Sequence, residues 1–229
     1  MNKLQKGILI SIEGIDGSGK STLANSLYEN LKELKYDVVL TKEPGSTKLG
    51  KNLRQILHER DFDLTCKSEF LLFAADRAQH FQDIIIPALT AKKIVISDRL
   101  SDSSIAYQGY GRGLDVNMLA AINSWAMQGV NPDFTLYLKI DYETAIARLM
   151  KTRDNLTSFE KEQSFFFYKV IDGFEKIFKN RLNVYEIDAK NDKDVLLNYA
   201  LNIILKQISY GQLYSSCATL GCKSGQTCC

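Results

Sequence analysis

Residues 14 to 22 read Gly14-Ile15-Asp16-Gly17-Ser18-Gly19-Lys20-Ser21-Thr22, a G-x-x-x-x-G-K-S pattern. Glycines at this spacing let backbone N–H groups wrap a polyphosphate, and a helix starting behind them adds a partial positive charge. Lys20 then places a full charge on the β- and γ-phosphates, and the Ser21 hydroxyl can hold Mg²⁺. A glycine-rich turn with no ligand is the plain alternative, and the flanking pattern argues against it. Asp98-Arg99 closes a β-branched run, Lys93-Ile-Val-Ile-Ser-Asp98. At a strand end Asp98 can hold Mg²⁺ through water, while Arg99 can fork onto a second phosphate. A surface ion pair, worth little in water, is the bland reading of the same two residues. These groups predict a binder of Mg²⁺ and a nucleoside triphosphate. The Asn-Lys-x-Asp element that reads guanine is missing, which argues against a regulatory GTPase.

Such chemistry needs a strand before the loop and a helix after it. Gly7-Ile-Leu-Ile-Ser-Ile-Glu13 has the β-branched richness of a buried strand, and Leu23, Ala24, Leu27, Leu31 and Leu34 follow at helical spacing. Further strands are predicted at 37–41, 93–98, 133–139 and 183–187. Helices are predicted at about 20–35, 48–59, 67–91, 101–109, 115–128, 142–151, 158–179 and 192–208. Strands joined through helices imply an α/β three-layer fold: a five-stranded parallel sheet with helices on both faces and ligands at the strand carboxyl ends.

The 229 residues, 45% hydrophobic, suit one domain with a well-buried core. A net charge of +2 gives no footprint for general nucleic-acid binding. Apolar runs reach about six residues, against the ~20 that span a bilayer. The N-terminus enters the first strand without the apolar region of a signal peptide, so the expected setting is cytoplasmic. Of five cysteines, Cys66 lies in the body; Cys217, Cys222, Cys228 and Cys229 lie in a Ser/Gly-rich tail. Without paired C-x-x-C hooks the tail reads as disordered or loosely docked over 209–229, with metal or redox work as the alternative. The functional domain is expected over 1–208.

Four segments, in order, carry a specific likeness: Glu13 to Thr22; Thr41-Lys-Glu-Pro-Gly45; Leu72-Phe-Ala-Ala-Asp-Arg-Ala-Gln-His80; and Asp98-Arg99 with Ser103-Ser-Ile-Ala-Tyr-Gln-Gly109. Over about residues 7–205 the chain resembles the bacterial thymidylate kinases, which have the P-loop NTPase fold. The resemblance implies transfer of the ATP γ-phosphoryl group to dTMP, a short lid between two late helices, and a homodimer. It also implies that Glu43 and Arg54 reach the monophosphate site and that Asp16 contacts the acceptor sugar or its metal shell.

The matched residues also have physical reasons of their own. Phe73 and Arg77, four apart on a predicted helix, share a face; the ring can stack on a pyrimidine and Arg77 can donate to its carbonyl. Alone, the pair would read as core and solvated surface. Ser104 and Gln108 can read the Watson–Crick edge of thymine. Tyr107 packs on the deoxyribose, where it excludes a 2′-hydroxyl or serves as ordinary packing. The acceptor phosphate is already anionic, so His58 and His80 need not act as bases and read as structural. A mobile arginine should reach the transferring phosphoryl, and the predicted lid offers Arg148, Lys151 and Arg153. Arg153 is the expected finger and Arg148 its helper, with a solvated helix end as the alternative. Thr157 and Ser158 stand where the family would have an Asp-Arg pair. Another nucleotide or nucleoside kinase, or a non-catalytic nucleotide-binding protein, are the rival classes. The stripe around Trp125 suits a dimer face or core.

Overall fold

Ile8, Ile10 and Ile12 alternate with Leu9 along the first strand, and all four are buried. The isoleucines share a core with Leu27, Leu31, Phe174 and Ile204. Leu9 and Val95 share another, on the opposite face, with Phe81, Ile85 and Ala88. A strand buried on both faces sits in the middle of a sheet covered by helices. The structure, a computed structural model, describes residues 2, 4–59, 62–152 and 164–219, with backbone alone for 152 and 210–219.

The strands are β1 (Ile8–Glu13), β2 (Val38–Lys42), β3 (Ile94–Asp98), β4 (Phe134–Lys139) and β5 (Val184–Asp188). They form one sheet in the order β2-β3-β1-β4-β5, and every pairing is parallel. β1 and β3 pair with Ile12 opposite Asp98, so their carboxyl ends lie side by side. The helices are α1 (Lys20–Glu33), α2 (Lys48–Glu59), α3 (Cys66–His80), α4 (Ile86–Thr90), α5 (Ser101–Ser104), α6 (Val116–Ala126), α7 (Tyr142–Thr152), α8 (Ser164–Phe178) and α9 (Lys193–Thr219). Helix-sheet-helix layers and five parallel strands match the expected fold.

Local chemistry explains most boundaries. Thr65 caps α3 by accepting from Ser68 N, and Asp115 caps α6 by accepting from Met118 N at 2.8 Å. The helix expected at 67–91 divides into α3, a π-helical segment at Phe81–Ile85, and α4. Pro87 opens α4 and has no N–H to give to the preceding turn, which interrupts the ordinary ladder there. The helix expected at 101–109 is α5 followed by a second π-helical segment, Ile105–Gly111, packed on α8. The boundary expected at 208/209 falls inside α9, which runs on to Thr219 without a break in its backbone ladder. The rest of the predicted tail, 220–229, lies outside the described residues, as does most of the predicted lid, 153–163.

Candidate active site

The adjacency of β1 and β3 brings the two sequence motifs together. Arg99 N donates to Ile12 O at 3.0 Å, so the chain leaving β3 runs beside the loop leaving β1. Ser21 Oγ donates to Asp98 Oδ2 at 2.5 Å. Lys20 curls back and donates from Nζ to Ile15 O at 2.7 Å. Its burial, with the Arg99 charge nearby, brings the ammonium down to about 8, although Asp16 and Asp98 oppose the shift. Arg99 takes a left-handed backbone, φ 72°, and forks through Nη1 onto Gly14 O (2.8 Å) and Ser103 Oγ (2.9 Å). Its Nη2 lies 2.6 Å from Asp16 Oδ1, and Tyr107 Oη donates to Asp16 Oδ2 at 3.2 Å. Burial alone would raise Asp16, but Arg99 and Lys20 outweigh it and hold the carboxyl well below the usual range.

A cavity of about 670 Å³ opens over this loop and continues toward α3 and the second π-helical segment. Its far end is built around Arg77, which is 1% exposed. Arg77 Nη1 donates to Asn123 Oδ1 (2.7 Å) and Nη2 to Ser104 Oγ (3.1 Å), while Glu43 Oε2 lies 2.8 Å from Nη2. Arg77 Nε is buried with no hydrogen-bond partner among the described residues, which leaves a donor for a ligand. Glu43 is held from the other side by His80 Nδ1 at 2.9 Å, and His80 Nε2 lies 2.6 Å from Thr41 Oγ1. His80 thus orients Glu43 from within the core. Burial would raise Glu43, but Arg77 and His80 bring it below its ordinary value. Gln108 Nε2 donates to Glu69 Oε1 at 3.0 Å, and Arg54 Nη1 to Pro44 O at 3.1 Å.

The cavity gathers nearly all the residues singled out from the sequence. Asp16, Gly17, Ser18, Gly19, Lys20, Ser21, Thr22, Asp98 and Arg99 line the loop end; Glu43, Arg54, Phe73, Arg77, Ser104, Tyr107 and Gln108 line the other; Arg148 lines the rim. Gly14 and Ile15 do not line it: their carbonyls face inward, onto Arg99 and Lys20. Arg148 Nη1 donates to Ala189 O at 2.8 Å. Arg153 lies outside the described residues.

Six participants carried no expectation of a site role. Asn191, Asp192 and Lys193, after β5, line the rim, as the rule that ligands sit at strand carboxyl ends would have suggested. His58 also lines the cavity. Asn123 braces Arg77 from α6, and Glu13 braces the loop from below. Glu13 accepts from Leu100 N (2.8 Å), Ser11 Oγ (2.8 Å) and Ser103 Oγ (2.6 Å). Burial, then the nearby Asp102, pushes its carboxyl up to about 7.

A family model described as Thymidylate kinase matches residues 12–199. The chain belongs to the thymidylate kinase family. A thymidylate kinase from an Exiguobacterium species is 39% identical over 207 residues, covering 90% of this chain and 97% of its own. One from Halothermothrix orenii is 50% identical over 143 residues, 62% of this chain and 69% of its own. The crystal structure of thymidylate kinase from Ehrlichia chaffeensis superposes with a TM-score of 0.73 at 35% identity, covering 87% of this chain and 99% of that one. Within this thymidylate kinase fold, Ser21 Oγ and Asp98 Oδ2 touch at the loop as two hard oxygen donors. Such a pair fits Mg²⁺, which keeps waters and phosphate oxygens for most of its shell. No helix among the described residues is long and apolar enough to cross a membrane.

Proposed function

We propose that this protein transfers the γ-phosphoryl group of ATP to dTMP, giving dTDP, by a Mg²⁺-dependent in-line displacement. One observation carries the reading: a single cavity holds the phosphate loop at one end and the Phe73, Arg77, Ser104 and Gln108 cluster at the other. The loop cradles the donor phosphates, with Lys20 on the transferring group. Phe73 stacks on the thymine ring, Arg77 donates to its carbonyl, and Ser104 and Gln108 read its edge. Tyr107, tied to Asp16, sits against the acceptor sugar. Glu43 steadies Arg77, and Arg54 and Arg99 neutralise the acceptor phosphate, whose oxygen attacks without a general base. Ser21 and Asp98 would hold Mg²⁺, which supplies charge neutralisation across the phosphates. Arg148 and Arg153 are assigned to the transferring phosphoryl as it moves.

The catalytic unit is assigned to residues 1–208, in the cytoplasm, as a homodimer. Exposed Trp125 and Met118 on α6, seven residues apart and so on one helix face, support the last assignment. The deciding experiment is ADP release from Mg·ATP with dTMP, dUMP, dCMP, UMP and thymidine supplied separately. Turnover selective for dTMP is the expected result. Preference for another acceptor would overturn the thymine-reading set, and no turnover with any would overturn the reaction.

A further inference from the structure

The Gln108 side chain lines the cavity and is 1% exposed. A carboxamide has two unlike ends: the nitrogen only donates and the oxygen only accepts. Behind it stands Glu69 of α3, also 1% exposed, whose Oε1 takes the Gln108 Nε2 bond at 3.0 Å. The same carboxylate is forked by Arg112, with Nε 3.3 Å from Oε1 and Nη2 3.2 Å from Oε2. Arg112 packs over the Phe166 ring, 4.5 Å from its centroid, which keeps the guanidinium in place. With N–H donors set against both of its oxygens, this carboxyl presents only lone pairs to its neighbours and can only accept. With the Gln108 amide turned over, two oxygen lone pairs would face each other at hydrogen-bond distance in a buried site, a costly arrangement. Glu69 therefore allows one orientation, with the nitrogen turned to itself and the oxygen left for a ligand.

We propose that Glu69, with Arg112, is a specificity-determining positioning residue: by fixing the Gln108 amide it makes the cavity select pyrimidines that carry a hydrogen on N3. Thymine and uracil have that hydrogen. Cytosine presents a bare lone pair at N3 and meets the amide oxygen with nothing to donate. Its exocyclic amine would also face Arg77, which has only N–H donors and already gives some of them to Glu43, Ser104 and Asn123. The proposal rests on the dTMP reading above and adds how the base is chosen. Glu69 touches no reacting atom; it acts through Gln108. Sites built around a buried polar pair can reject a mismatched ligand by up to about 10⁴-fold or more.

The test is Glu69→Gln, whose amide can donate as well as accept and so permits Gln108 to turn over. Steady-state kcat/KM is measured for dTMP, dCMP and dUMP in the wild type and the variant. The expected result is a fall of roughly tenfold or more in the dTMP-to-dCMP ratio, carried mainly by KM. The dTMP-to-dUMP ratio should hold, since both bases carry N3–H. A general loosening of the fold would lower all three rates together and leave both ratios unmoved. Should Glu69→Gln not fold, Arg112→Met removes the fork that holds the Glu69 carboxyl against Gln108, and the same loss of the dTMP-to-dCMP ratio is expected. Unchanged ratios in the folded variant would overturn the role of Glu69 while leaving the dTMP reading intact. A wild type that used dCMP as well as dTMP would overturn the selection proposed here, and one that preferred dCMP would overturn the dTMP reading itself.

Discussion

Lys20 lies folded into its own loop, with Nζ on Ile15 O and its ammonium brought down to about 8 by burial. A bound polyphosphate adds negative charge beside it and restores its proton affinity. ATP binding should therefore take up protons, about half of one per site near pH 8 and close to none by pH 6.5. Calorimetric titration in buffers of different ionisation enthalpy measures the uptake, and Lys20→Met should remove it. Arg77 and Lys20 separate the two ends of the cavity. Arg77→Ala should weaken dTMP binding by about 2–3 kcal/mol with a smaller effect on kcat. Lys20→Ala should lower kcat by on the order of a hundredfold or more. Equal loss of both parameters in both variants would contradict the division of labour. Arg153→Ala should reduce turnover while leaving the affinity for ATP and dTMP nearly intact, measured by the same kinetics with equilibrium binding. At this scale most of the phosphate-loop and base-end groups were legible because they fall in short motifs with their own chemistry, whereas His58 and the rim residues Asn191, Asp192 and Lys193 fall in none. Glu69, Asn123 and Glu13 were not given roles. Their meaning comes from partners 39, 46 and 87 residues away, which no local pattern reveals.

The elements hold these groups by close backbone approach. A Cβ at Gly17 would lie 2.3 Å from the Ala145 carbonyl oxygen, and its φ of +83° is one that L side chains rarely adopt. Gly17→Ala should therefore deform the loop and abolish ATP binding, as read by displacement of a fluorescent nucleotide. Gly111 ends the second π-helical segment, and a Cβ there would come 2.6 Å from Phe166 Cε2. Gly111→Ala should cost about 1–3 kcal/mol of stability, visible as a lower Tm, because the ring must step out of a packed core. All five strands were legible to within a residue from β-branched runs. The π-helical segments were not: a 3.6-residue periodicity reads straight through a widened turn. The widening still matters, since it carries both Tyr107 and Gln108 into the cavity.

Across the whole molecule, the strand order rather than any one element makes the site. β1 stands between β3 and β4, so loops from distant parts of the chain meet over its end. Alternation of strands and helices announced a parallel sheet, but not the order in which the strands lie side by side. That order depends on which crossover packs over which neighbour. If the α6 face carries the dimer, Trp125→Arg should yield a monomer, read by sedimentation equilibrium, because it puts a charge where an 81% exposed indole would be covered. A second consequence of the strand order concerns time. Ile8 must wait for Ile94, and Ile10 for Phe134, before the first strand has a partner on either side. Closing such long loops is slow, and it ties the middle of the sheet to its latest contacts. The residues that grip phosphate are made among the first on the ribosome. They cannot take their shape until β4 has emerged and docked, so a nascent chain halted short of residue 130 would carry the whole phosphate-loop sequence and still be blind to nucleotide.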